Sequence, residues 1–119
     1  MQTQSNVVLV LEDEPLIAIS IEAVVEEAGL TAHTCRTLAD ALSLGRAANL
    51  RGAILDYWIG GIAATELAEI LTARRIPFVL TTGGDPPTGE GPLASIPVLR
   101  KPYSDTDLLM HIRSFGSGE

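Results

Sequence analysis

The sequence predicts an α/β protein in which a parallel β-sheet lies between two layers of helices. Three observations indicate this class. Short apolar segments rich in β-branched residues recur along the chain, the first being Val7–Leu11. Stretches with helical periodicity separate these segments, and polar residues follow several of them directly. Strands that alternate with helices imply right-handed crossovers and a doubly wound sheet.

Composition limits the classes of function. With 119 residues and 46% hydrophobic content, residues 1–119 are predicted to form a single domain. The formal net charge of -7 and the few scattered basic residues argue against a direct nucleic-acid partner. No signal segment is visible and no apolar run approaches the ~20 residues of a membrane span, so we expect a cytoplasmic protein with no membrane partner. The lone cysteine, Cys35, excludes an intramolecular disulfide.

The predicted elements follow from apolar spacing and from residues that start or stop helices. Pro15 suits a first helical turn, apolar residues recur at helical spacing after it, and Gly29 stops that helix. Gly45 weakens the second helix, and Ser104 or Asp105 caps the last one. In order, the predicted elements are strand 7–11, helix 15–28, strand 30–35, helix 37–49, strand 52–56, helix 63–75, strand 77–82, strand 96–99 and helix 104–115.

The segment between Thr82 and Ile96 departs from strict alternation. It carries four glycines and three prolines, which make a full helix there costly. We therefore expect a loop with at most one or two helical turns. The fold class predicted is a flavodoxin-like (βα)5 protein, a doubly wound parallel five-stranded sheet with strand order 2-1-3-4-5, whose fourth helix is short or disordered.

Polar residues stand at four of the predicted strand ends. Glu12 and Asp13 follow the first strand, Asp56 ends the third, Thr82 ends the fourth, and Lys101 follows the fifth. Because the carboxyl ends of parallel strands meet at one edge of the sheet, we expect these side chains to converge. Clustered carboxylates repel one another unless a cation lies among them, and a divalent metal is the simplest candidate.

The order and spacing of these residues resemble the receiver domain of two-component response regulators over essentially the whole chain. The matching segments are Leu11-Glu12-Asp13-Glu14-Pro15, Ala53-Ile54-Leu55-Asp56, Leu80-Thr81-Thr82-Gly83 and Lys101-Pro102-Tyr103. Each is weak alone, but the four in order are specific. The resemblance implies a phospho-acceptor that takes a phosphoryl group from a sensor histidine kinase or a phosphotransfer protein and signals to a downstream protein through a phosphorylation-dependent surface.

The resemblance also implies the roles of the acids. Asp56 would be the nucleophile that becomes an aspartyl phosphate, with Mg²⁺ or Mn²⁺ as cofactor. Asp13 and Asp56 would be direct metal ligands, joined by the main-chain carbonyl of Trp58, whereas Glu12 would act through water. Glu14 would be only a helix-start charge. An oxygen set of this kind suits Mg²⁺, which keeps several of its waters.

Thr82 and Lys101 would sense the phosphate, the first through its hydroxyl and the second through a compact positive charge. Lys101 is the only lysine among eight basic residues. In receivers the peptide bond before the following proline is cis, so we expect Lys101–Pro102 to be cis.

Besides the segment rich in glycine and proline between Thr82 and Ile96, two features differ from the usual receiver. The aromatic switch position, three residues before the lysine, holds Val98, so the signal must leave the site another way. The natural hypothesis is that phosphorylation orders or remodels residues 83–95. The Gly60–Gly61 pair replaces a common proline in the loop after the acceptor and should leave that loop more mobile.

Other readings remain open at this point. Acids at a helix start favour the helix dipole, and His33 and His111 read as surface or packing residues. A pseudo-receiver, a binding module that takes no phosphate, would be expected to lack one of the site residues. A Mg²⁺-dependent aspartyl phosphohydrolase usually needs a second acid two residues after its nucleophile, where this chain has Trp58. We therefore expect a phospho-acceptor and not an enzyme.

Overall fold

The computed structural model describes residues 5–84 and 95–115. In chain order, the elements are β1 (Val7–Leu11), α1 (Pro15–Glu27), β2 (Thr31–Cys35), α2 (Leu38–Ala47), β3 (Gly52–Asp56), β4 (Trp58–Ile59), β5 (Ile62–Ala63), α3 (Thr65–Ala73), β6 (Phe78–Thr82), β7 (Val98–Arg100) and α4 (Asp105–Arg113). Five parallel strands form the main sheet in the order β2-β1-β3-β6-β7. Because β6 and β7 are its fourth and fifth strands, the predicted 2-1-3-4-5 order and flavodoxin-like fold are confirmed.

The sheet separates two apolar cores. On one face, helices α2 and α3 cover alternate strand residues such as Leu9 and Leu55. On the other face, helices α1 and α4 cover the residues between them, such as Val10 and Ile54. Since successive side chains of a strand point to opposite faces, a strand covered on both sides needs an uninterrupted apolar run. This explains the composition of the central strands.

Helix starts agree with the capping residues of the sequence. Pro15 is the first residue of α1. The Thr37 side chain accepts a hydrogen bond from the Asp40 amide at the start of α2, and the Ser104 side chain accepts one from the Asp107 amide at the start of α4. Several elements are shorter than predicted at their ends, because terminal residues make fewer backbone hydrogen bonds.

The segment that follows Asp56 was expected to be a loop. It forms a small antiparallel hairpin instead, in which Trp58 pairs with Ala63 and Ile59 with Ile62. The two-residue turn is made by Gly60 and Gly61, with φ of 58° and 79°. Two consecutive positive φ angles match the twist of a tight hairpin, and glycine adopts them without steric cost. The hairpin delays the start of α3 to Thr65.

Two glycines allow close packing that their sequence context did not reveal. A Cβ atom on Gly45 would lie 2.7 Å from Leu67 Cδ1, so this glycine lets α2 approach α3. A Cβ atom on Gly52 would lie 2.4 Å from the ring of Phe115. In sequence Gly45 is only a weak point of its helix, whereas in the structure it is the point at which α2 contacts α3.

The predicted short fourth helix, and the hypothesis that residues 83–95 are remodelled by phosphorylation, fall almost wholly on residues 85–94, which lie outside the described residues. Within the described ranges, no helix combines the length and apolar character that a transmembrane crossing requires.

Candidate functional site

The carboxyl edge of the sheet gathers the polar residues that end its strands. Glu12 follows β1, Asp56 ends β3, Thr82 ends β6 and Lys101 follows β7. Hydrogen bonds tie these ends together: the Glu12 amide donates to the Cys35 carbonyl, and the Lys101 amide donates to the Thr82 carbonyl at 2.7 Å. The backbone of the sheet therefore holds residues that are far apart in sequence in one row.

Lys101 connects two of the acids. Its Nζ atom lies 3.2 Å from Glu12 Oε1 and 3.3 Å from Asp56 Oδ2. The Glu12 side chain is 1% exposed and that of Asp56 is 9% exposed, whereas Lys101 is 22% exposed. Two nearly buried carboxylates thus share one partly exposed ammonium group, and the peptide bond between Lys101 and Pro102 is cis, as expected.

Both oxygens of Glu12 have protein partners. Oε1 accepts from Lys101, and Oε2 accepts from the backbone amide of Glu14 at 3.1 Å. Glu14 itself is the N-cap residue of α1, and its side chain makes no capping hydrogen bond. A carboxylate whose oxygens are engaged in this way is better suited to hold a water in place than to coordinate a metal directly.

The three acids form a group that a cation could occupy. Each of Glu12, Asp13 and Asp56 offers an oxygen, and these oxygens lie within 4.8 Å of one another. Asp13 is exposed, so the cluster opens to solvent on that side. Three carboxylates are balanced by only one lysine, which leaves an excess of negative charge. Hard oxygen donors with this charge fit Mg²⁺ or Mn²⁺.

The pKa values of Asp56, Glu12 and Lys101 are shifted by burial and by this close packing of charged groups. Burial raises the pKa of the Asp56 carboxyl above its usual value, although Lys101 opposes the rise and Asp13 adds to it. Burial likewise raises the pKa of Glu12. For Lys101, burial lowers the pKa but the carboxylates of Asp56 and Glu12 raise it further, so the net direction is upward. The lysine is therefore fully charged at neutral pH.

Tyr103 borders the site. Burial, together with the negative charges of Glu12 and Asp56, raises the pKa of its phenol to about 12. The resemblance to receivers placed Tyr103 in a matching segment without giving it a role. Its position packs it against the core on the α1 and α4 side of the sheet.

The two threonines of β6 are both buried but differ in their hydrogen bonds. Thr82 Oγ1 accepts from the amide of Gly84 at 3.1 Å. Thr81 Oγ1 has no hydrogen-bond partner among the described residues. The sequence alone assigns no role to Thr81, because burial and hydrogen-bond pairing depend on the whole fold.

The remaining predicted site positions lie nearby. Trp58 begins β4 directly after the acceptor region, with 52% of its surface exposed, and its ring contacts that of Tyr57 edge to face. Val98 begins β7 and is half-buried. His33 is exposed on the edge strand β2 and His111 lies near the end of α4, so neither belongs to the acidic group.

Neither a protein-family model nor a curated protein matches this chain. Solved structures do match. The solution structure of SdrG from Sphingomonas melonis Fr1 is 36% identical with a TM-score of 0.74, and the match covers 94% of this chain and 98% of that chain. SdrG in its BeF3-activated conformation is 34% identical with a TM-score of 0.72, covering 94% and 99%.

Two further structures share the fold. The receiver domain of the Francisella response regulator 1452 is 24% identical with a TM-score of 0.77, covering 92% of this chain and 94% of that one. The receiver domain of the sensor histidine kinase PA1611 from Pseudomonas aeruginosa PAO1, which has a magnesium ion in its active-site cleft, is 16% identical with a TM-score of 0.74, covering 93% and 97%. The likeness to SdrG, at 36% identity over nearly the full length of both chains, shows that this chain belongs to the response-regulator receiver family.

Proposed function

We propose that this protein accepts a phosphoryl group on Asp56 from the phosphohistidine of a sensor histidine kinase or a phosphotransfer protein. The receiver-domain neighbours support a phospho-acceptor role in two-component signalling. The observation that carries the assignment to Asp56 is its place in the site: it ends the central strand β3, belongs to the acidic group, and pairs with Lys101 at 3.3 Å.

The transfer needs a nucleophile and a means of neutralising charge. A carboxylate oxygen of Asp56 attacks the phosphorus in line and the P–N bond of the donor breaks, its electron pair staying on the imidazole nitrogen, which takes a proton from solvent. Lys101 supplies a positive charge that can follow a phosphoryl oxygen, since it is already held at the acceptor. Thr82 offers its hydroxyl at the end of the neighbouring strand β6.

Asp13, Asp56 and the main-chain carbonyl of Trp58 would hold a Mg²⁺ or Mn²⁺ ion directly, and Glu12 would hold one of its waters. When bound, such an ion neutralises charge on the phosphoryl oxygens. The donor set supports this assignment, because three carboxylates face a single lysine. Glu12, whose oxygens already pair with Lys101 and the Glu14 amide, suits the outer position.

We further propose that the protein works as a signalling acceptor rather than an enzyme acting on external phosphoesters. Trp58 occupies the position of the second acid that aspartyl phosphohydrolases usually carry, and it is exposed. The phosphorylated protein would then signal to a downstream protein through a surface that changes on phosphorylation. A pseudo-receiver is less well supported, because the acidic group is assembled and Lys101 pairs with two of its members, Glu12 and Asp56.

Intact mass spectrometry tests the proposal. Wild-type protein incubated with Mg²⁺ and a small acyl-phosphate donor should gain about 80 Da, the mass of one PO₃ unit. The Asp56→Asn variant should gain nothing, whereas Asp40→Asn, which changes an exposed acid of α2, should behave as wild type. Absence of an adduct on the wild type, with a cognate kinase as well, would favour the pseudo-receiver. Rapid release of phosphate from added phosphoesters would favour the hydrolase.

A further inference from the structure

Thr81 places a hydroxyl in the interior of the protein, where none of the residues that the structure describes is its hydrogen-bond partner. Its Oγ1 atom is the only buried side-chain nitrogen or oxygen without a partner among residues 5–84 and 95–115, and the residue is 0% exposed. A buried hydroxyl without a partner destabilises the fold, since it has lost its hydrogen bonds to water. Valine has nearly the same shape and would fill the position without this cost.

The neighbours of Thr81 identify where its hydroxyl can act. In the sheet, Thr81 is the register partner of Asp56 on one side and of Leu99 on the other. The backbone joins the two strands at the same point, because the Tyr57 amide donates to the Thr81 carbonyl at 2.9 Å. Register partners on adjacent parallel strands lie about 5 Å apart and present their side chains on the same face.

The alternation of core residues agrees with this placement. Ile54 and Val79 both belong to the core covered by α1 and α4. Counting two residues along each strand leads from Ile54 to Asp56 and from Val79 to Thr81. The same count leads from Val10 to Glu12. Glu12, Asp56 and Thr81 therefore form one polar row on three adjacent strands, just above the apolar core.

We propose that Thr81 is a positioning residue for Asp56: in the phosphorylated protein its hydroxyl donates a hydrogen bond to the acyl oxygen of the aspartyl phosphate. The inference rests on the proposed function, since it requires Asp56 to be the acceptor. In the unmodified protein Lys101 pairs with Oδ2 of Asp56, and the backbone amide of Trp58 donates a hydrogen bond to the same carboxylate. Phosphorylation adds oxygens to which the lysine can turn, and this frees an acceptor beside Thr81. The destabilisation of the unmodified state is then relieved by the modification.

Thr82 does not take the role that we propose for the Thr81 hydroxyl. Its Oγ1 is already engaged with the Gly84 amide, and it occupies the next position along β6. The two threonines therefore have separate roles: Thr82 senses the phosphoryl group, and Thr81 orients the aspartyl side chain that carries it.

Binding of the phosphoryl mimic BeF3⁻ in the presence of Mg²⁺ tests the inference. Trp58 is the only tryptophan and lies two residues beyond Asp56, so its fluorescence provides the readout. We expect Thr81→Val to bind BeF3⁻ about fivefold more weakly than wild type, the effect of one hydrogen bond, and Thr81→Ser to restore most of the affinity. The mimic-free Thr81→Val protein should melt at a higher temperature than wild type, because the unpaired hydroxyl is gone.

A melting temperature that rises while the affinity for BeF3⁻ falls distinguishes a positioning role of Thr81 from a structural one. A Thr81→Val protein that melts higher but binds BeF3⁻ within twofold of wild type overturns the inference and leaves the proposed function intact. A wild type that shows no BeF3⁻ response, like Asp56→Asn, overturns both. If Thr81→Val does not fold, Thr81→Ala removes the same hydroxyl with a smaller side chain and must show the same loss of affinity.

Discussion

Lys101 Nζ lies 3.3 Å from Asp56 Oδ2, joining the last strand of the sheet to its centre across 45 residues of sequence. The pair is only slightly exposed, and the same ammonium group also holds Glu12. In the unmodified protein the lysine therefore compensates charge on the two acids that burial disfavours. Lys101 therefore stabilises the site even when no phosphoryl group is present.

Removal of Lys101 should destabilise the protein. Lys101→Ala leaves Glu12 and Asp56 with uncompensated charge, and we expect the free energy of unfolding to fall by about 2–3 kcal/mol, less than for a fully buried pair because the lysine is partly exposed. Urea unfolding at neutral pH measures this. The control is Arg46→Ala, which breaks an ion pair of 3.0 Å to Glu66 with both side chains more than half exposed, and should change stability by at most about 0.5 kcal/mol. Equal effects of the two variants would contradict the argument.

Neutralising Asp56 should stabilise the metal-free protein. The folded state raises the pKa of Asp56, so any stability that this group contributes is present below its unfolded pKa and is lost as pH rises through the folded value. At pH 7 the ionised carboxylate therefore costs stability, and Asp56→Asn should melt higher than wild type. The difference should shrink as pH falls through the raised pKa of the wild-type carboxyl. Thermal melts across this pH range measure it, and an asparagine variant that melts lower at pH 7 would contradict it.

Mg²⁺ should reverse that order. A cation present at ten times its dissociation constant from the folded protein stabilises it by about 1.4 kcal/mol, which corresponds to a rise in Tm of about 5–6 °C for a chain of this length. Wild type should show this rise, and Asp56→Asn should show much less because one of its three carboxylates is gone. Melts with Mg²⁺ and with K⁺ at equal ionic strength separate binding from screening. A rise that is the same in both salts would argue against a site.

The phenol of Tyr103 should lose its proton at a higher pH than an exposed tyrosine does. Its pKa is raised to about 12 by burial and by the nearby carboxylates, so its stabilising contribution is complete below the unfolded pKa of about 10 and is lost between there and 12. The Tyr57→Phe variant leaves Tyr103 as the only tyrosine, and its phenolate absorbance should appear near pH 12 in the folded protein. In denaturant the transition should return to about pH 10. A folded-state transition already complete at pH 10 would show that the ring is not enclosed.

Gly52 should not tolerate a side chain. A Cβ atom there would meet the Phe115 ring at 2.4 Å, so Gly52→Ala must displace the ring and should cost about 1–3 kcal/mol. In a Phe115→Ala background the same substitution should cost much less. Gly29→Ala is the control: it has nothing within 4 Å but a φ of +82°, so its cost comes from the backbone and should not depend on Phe115. Additive effects of Gly52→Ala and Phe115→Ala would contradict the contact.

The sequence by itself determined the sheet and the set of strand ends. Apolar runs covered on both faces require parallel strands between helices, and parallel strands bring their carboxyl ends to one edge. The meeting of Glu12, Asp56 and Lys101 followed from these two rules, and the strand order followed from the flavodoxin-like plan. The residues after Asp56 were misread as a loop, because a hairpin of two-residue strands is too short to show an alternating pattern.

Only the tertiary structure decided how the polar atoms are paired. In the structure both oxygens of Glu12 accept hydrogen bonds and Lys101 pairs with two acids. Thr82 has a hydrogen-bond partner, whereas Thr81 Oγ1 has none within the described part of the chain. Residue type and spacing cannot distinguish two adjacent threonines in one strand, since burial and hydrogen-bond partners come from other strands. Strand positions are local properties of a sequence, whereas the free energy of a buried polar group depends on every element packed around it.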